Sequence, residues 1–126
     1  MRKLVSLIVV AAVLALAGAA FANSKEDVYR TAVAAVSGDP RFRSHTKAIN
    51  VFKGELDLYQ ATPGADSAFV ETMQKVLTCL REEAQEHFLG SMSKPKEMTA
   101  HFDKSLEAGR QAKTYLEIAK KRLGQR

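Results

Sequence analysis

Between Phe42 and Tyr59, Phe42, His45, Ile49, Phe52, Leu56 and Tyr59 return at alternating intervals of three and four residues. That period draws one stripe along an α-helix, and a strand, which turns its side chains over every second residue, cannot use it. Gly54 weakens the pattern and Glu55 to Tyr59 alternates briefly like a strand. The longer period decides, and we read a helix from Pro40 to about Gln60.

Three further segments read the same way. Ser24 caps a first helix with Glu26 and Asp27 in its opening turn, and Val28, Ala32, Ala35 and Val36 share a face. Ser37-Gly38-Asp39-Pro40 ends it, with Asp39 as cap and Pro40 as first residue of the next helix. Ala61 to Asp66 is a turn by composition. Asp66 or Ser67 opens a third helix along Phe69, Met73, Val76, Leu77, Leu80, Ala84, His87 and Phe88, stopped by Gly90. Residues 91–96 read as a loop holding Pro95. A fourth helix carries Met98, Phe102, Leu106, Gly109, Ala112, Leu116, Ala119 and Leu123, ending at Gly124. Long helices joined by short connections pack antiparallel, so the expected fold is all-α, an antiparallel up-down-up-down four-helix bundle.

The first 22 residues stand apart. Met1-Arg2-Lys3 is basic, Leu4 to Ala20 carries no charge, and Ala20-Phe21-Ala22 is a small-x-small site. Together these describe a secretory signal peptide cut after Ala22. Residues 1–22 are thus expected to leave, and 23–126 to form a single domain in the periplasm or beyond, with no stable membrane anchor. No Cys stands at the cleavage site, which excludes a lipoprotein.

Composition excludes several function classes. One Cys and no Trp among 126 residues leave no disulfide framework, no multi-Cys zinc module and no C-x-x-C-H for covalent haem. Non-covalent haem needs Met or His ligands from facing helices, and the first helix has neither. The net charge of +5 drops to +3 without Arg2 and Lys3, and the basic residues are interleaved with acidic ones. Lys120-Lys121-Arg122 with Arg126 reads as a complement to a helix dipole. With no one-signed stripe and no nucleic-acid motif, nucleic-acid binding is not expected. Enzyme signatures are absent too: no nucleophile elbow, no Gly-rich phosphate loop, no H-E-x-x-H.

One constellation remains. The antiparallel order gathers His45, His87 and His101 at one end, with Met92 and Met98 beside them. Glu83 precedes His87 by four residues, and Glu97 precedes His101 by four, so each pair shares a helix face. Three imidazoles with Glu83 and Glu97 suit zinc or copper(II), and Met98 adds a copper(I) donor. The plainer readings are a core-edge His45 with its own hydrogen-bond partner, and solvated Glu–His pairs. A third use of the same histidines is pH sensing. Cys79 reads as a small buried hydrophobe, or as a route to a homodimer in an oxidising compartment.

The expectation is therefore a small exported helical protein that binds another protein of the cell envelope, as an adaptor, chaperone-like protein or inhibitor, without catalysis. The alternative is a copper- or zinc-binding protein. Protein binding predicts apolar side chains left uncovered, with Leu58, Tyr29, Tyr115 and Phe52 as candidates.

Overall fold

The computed structural model describes residues 24–125, so the signal-peptide reading lies outside the described residues. Four helices account for the fold, with no strand among the described residues: α1 (Lys25–Val36), α2 (Arg43–Gln60), α3 (Ser67–Met92) and α4 (Pro95–Lys121). None of them is long and apolar enough to cross a membrane.

Helix α1 starts where its sequence says it should. The Ser24 hydroxyl accepts from the Asp27 N–H and the Asp27 carboxylate accepts from the Ser24 N–H, a complete capping box. Its buried face is Val28, Ala32 and Ala35. Helix α2 starts later than expected. Asp39 does not cap it; its carboxylate accepts from the Arg41 N–H and guanidinium in a local turn. Pro40 stays in that turn, and the helix begins at Arg43 with Phe42 as a cap lacking a side-chain hydrogen bond. Within α2 the stripe holds: His45, Ile49, Phe52, Leu56 and Tyr59 are its buried residues. Gly54 is exposed and interrupts nothing.

The α3–α4 connection is tighter than the sequence suggested. Gly90 is a buried residue inside α3, which continues to Met92, and Pro95 is the first residue of α4. Proline suits that position, where its missing N–H has no helical partner to lose. Gly90 fits because Phe102 fills the space a side chain would need: a Cβ there would stand 2.6 Å from the Phe102 ring.

Helices α3 and α4 are the most extensively packed pair, α2 lies against α1 and α3, and α1 also touches α3 and α4. The face that α4 buries is mostly small: Ser105, Ala108, Gly109, Ala112 and Ala119, with Leu116. Small residues let two helix axes approach closely. Gly109, Ala112, Leu116 and Ala119 lie on the expected stripe, and the correction is confined to Leu106, whose place is taken by Ser105 and Ala108. Ser105 turns inward and donates to the Glu83 carbonyl at 2.8 Å, while Leu106 is exposed. Phe52, a candidate for an uncovered face, is fully buried, and Tyr29 and Tyr115 pack partly against the core.

One end is fastened by Asp66. It caps α3 through the Ala68 and Phe69 N–H groups, and its own N–H donates to the Tyr59 hydroxyl at 2.8 Å. Lys25 donates to its Oδ2 at 3.0 Å, and Arg122 Nη2 to both oxygens at 2.8 and 2.9 Å. The starts of α1 and α3 and the end of α4 thus meet on the Asp66 carboxylate, and the end of α2 on its backbone N–H. Arg122, then Lys25 and the helix N–H groups, hold that carboxyl well below the usual range.

Candidate functional site

The opposite end holds all three histidines, and its centre is a buried pair. His45 is 1% exposed, in the first turn of α2. Its Nε2 lies 3.5 Å from Glu83 Oε1 on α3. Neither His45 ring nitrogen has a hydrogen-bond partner, nor has Glu83 Oε1. Two facing polar groups without partners are costly to bury, which singles out this spot in a core otherwise almost wholly apolar.

Burial acts on the two in opposite senses, because it disfavours whichever form is charged. It pushes His45 below the ordinary imidazole value, with Asp39 opposing and His87 adding to the shift. It pushes Glu83 above the ordinary carboxyl value, against the pull of Lys113. Each shift favours the uncharged form of its group, and a neutral imidazole still carries one N–H that can be turned toward the carboxyl.

Two glycines make room for it. A Cβ on Gly38 would stand 2.6 Å from His45 Nδ1, and one on Gly109 would collide with the Glu83 carboxylate. The α1–α2 connection and α4 thus close over the pair with bare backbone. On the Gly109 side Glu83 borders an open cleft of about 400 Å³ with Arg110 and Lys113 at its rim.

The other histidines enter separate relationships. His101 Nδ1 lies 2.6 Å from Glu86 Oε2 across the α3–α4 interface. The His87 ring packs on Phe102 with centroids 5.2 Å apart. The expected partnerships of Glu83 with His87 and of Glu97 with His101 are replaced by Glu83 with His45 and Glu86 with His101. His45 is buried as expected, but without the hydrogen bond expected of it. Among the described residues, no group of three or more His, Cys, Asp and Glu side chains is arranged to hold a metal ion. His45, His87 and His101 share an end, yet the structure does not bring them together with Glu97 or Met98 around a common point.

Beside the pair, the α1–α2 connection and the last turns of α3 enclose an open groove of about 450 Å³, lined by Pro40, Arg41, His87, Phe88 and Phe102 among others. Phe88 is 60% exposed and Met92, one turn on, 72% exposed. Phe42, 59% exposed, lies at the margin, its ring centroid 5.6 Å from the Arg41 guanidinium. The sequence placed Phe88 on the apolar side of α3, but α1 and α2 are too short to cover it. Leu58 is exposed as expected, far along α2 from this end.

The signal for Glu83 was in the sequence. Phe69, Met73, Val76, Leu80, Glu83, His87 and Gly90 alternate four and three, so a carboxylate sits on the stripe itself. Comparison with family models, with curated proteins and with solved structures gives no match to this chain.

Proposed function

We propose that this is an exported helical protein, cut after Ala22, that binds a protein partner of the cell envelope through the groove at its histidine end. In this reading the four helices run up-down-up-down, an order supported by the alternation of helix starts and ends around Asp66. The observation that carries the reading is the groove between Phe88 and the α1–α2 connection, with Phe88 exposed on its wall and Phe42 and Met92 exposed next in the chain to the lining residues Arg41 and Ser91. Clustered exposed aromatic and Met side chains are what protein interfaces bury at their centres. The protein partner would place an apolar side chain against Phe88 and Phe102, anchoring the contact there.

Site-specific photo-crosslinking in cells tests this. A photoreactive residue in place of Phe88 or Met92 is expected to give a discrete protein adduct in the periplasmic fraction. The same residue at Leu58, also exposed but away from the groove, is expected to give none. Equal labelling at all three positions, or no adduct at 88 and 92, sinks the proposal. Intact mass of the exported chain, expected to begin at Asn23, tests its export.

A further inference from the structure

We propose that the α1–α2 connection is an acid-released strap: a proton taken up by His45 Nδ1 lifts it, removes one wall of the groove and frees the partner. This rests on the groove being the partner-binding face. One short segment closes both the buried pair and the groove. Gly38 covers His45 so closely that a Cβ there would stand 2.6 Å from Nδ1, and Pro40 and Arg41 just beyond it line the groove. Whatever displaces Gly38 from His45 therefore displaces the groove wall as well.

The connection is free to move as a unit, because its hydrogen bonds are local. The Gly38 N–H donates to the Ala35 carbonyl, the Phe42 N–H to the Asp39 carbonyl, and Arg41 to the Asp39 carboxylate. Among the described residues, no hydrogen bond joins Gly38 through Phe42 to α3 or α4. The proton has one place to go. Nε2 is the ring nitrogen that faces the Glu83 carboxyl at 3.5 Å, so the N–H of the neutral ring belongs there and Nδ1 is the free base. A proton on Nδ1 creates a charged donor without an acceptor, in a residue 1% exposed. Water relieves that cost, and the partly exposed Gly38 stands between it and the ring.

The groups around His45 set the pH at which this happens. Burial disfavours the charged ring, His87 of α3 adds to that, and Asp39 of the connection opposes both while paired with Arg41 at 2.7 Å. Glu83 of α3 is pushed toward its neutral form by burial, and Lys113 of α4 pulls it back; Arg110 of α4 borders the same cleft. The titratable groups of α1, Lys25, Glu26, Asp27, Tyr29 and Arg30, lie in its first half, and Arg43 and Lys47 of α2 are exposed. His45 thus charges below its ordinary 6.5; the strap is fully closed above that pH and is released as pH falls through the lower closed-state value.

The chain has no Trp, so Phe42→Trp places a single indole reporter in the connection. Its emission in the purified exported protein is expected to change in one step with a midpoint below pH 6.5, while far-UV circular dichroism stays constant. F42W/H45Q is expected to lose the step and F42W/H87Q to keep it. F42W/G38A, whose Cβ props the connection off the ring, is expected to show the acid emission already at pH 7, an arm that stands even if F42W/H45Q does not fold. In cells, crosslinking from residue 88 is expected to fall by at least about threefold between pH 7 and pH 5, as the binding-competent fraction falls. No step, a step that H45Q keeps or H87Q removes, or G38A behaving like its parent overturns the strap. A step that coincides with loss of helical circular dichroism is global unfolding and overturns it too. An emission step with unchanged crosslinking at residue 88 refutes gating and leaves the partner groove standing; no crosslink at residue 88 at either pH removes both.

Discussion

His45 Nε2 faces Glu83 Oε1 at 3.5 Å, inside the protein, with no other partner for either atom. Their opposite shifts give opposite pH slopes. A lowered imidazole contributes stability that is full above its ordinary value of 6.5 and is lost as pH falls through its lower folded value. A raised carboxyl contributes stability that is full below its ordinary value of 4.5 and is lost as pH rises through its higher folded value. Between pH 4.5 and 6.5 the two slopes oppose each other.

Separating the pair should expose each slope. Glu83→Gln leaves the histidine alone, and its urea-unfolding free energy is expected to climb between pH 5 and pH 7 more steeply than that of the parent. His45→Gln leaves the carboxyl alone, and its stability is expected to fall, relative to the parent, over the same interval. Parallel profiles for all three proteins would show that the pair does not titrate as its burial requires.

Two glycine replacements should have opposite signs. Gly54→Ala adds a methyl group into open space on an exposed turn of α2 and should stabilise by about 0.5–1 kcal/mol, the helix-propensity gain. Gly90→Ala drives a methyl group into the Phe102 ring and should cost about 1–3 kcal/mol through overpacking. Adding Phe102→Leu should recover part of that cost. Urea denaturation of the four proteins gives the answer, and a stabilising Gly90→Ala would contradict the packing described.

Asp66 ties four helix ends, so its loss should be felt globally. Asp66→Ala removes a cap and leaves Lys25 and Arg122 without their shared carboxylate, at an expected cost of roughly 2–4 kcal/mol. Asp66→Asn keeps the cap and one acceptor and should cost about half as much. Unfolding midpoints in urea measure both, and equal midpoints for Asn and Ala would show that charge alone matters there.

Cys79 is buried on α3, its Sγ 3.9 Å from Gln111 Oε1, and burial with nearby Glu82 pushes the thiol up. Native protein should react with Ellman's reagent at least about a hundredfold more slowly than unfolded protein, because thiolate and access both wait on opening. Rapid native labelling would mean that the α3–α4 seam opens readily.

The sequence by itself determined that the described chain is four helices, and it placed both ends of α1, the end of α2 and the start of α3. Ser24 and Asp66 announce their caps, and the alternation of three and four along α2 names its buried face, because both are matters of neighbours within a few residues. It placed three histidines at one end but paired them wrongly. Glu83 is four residues before His87 on one helix, yet it faces His45, thirty-eight positions away, because Gly38 and Gly109 leave space on that side. The exposure of Phe88 was likewise invisible: its position on α3 reads as core, and it becomes surface only because α1 and α2 end short of it. A helix's period says which residues share a face. Whether another helix covers that face depends on lengths and contacts between distant segments, and only the tertiary structure decides that.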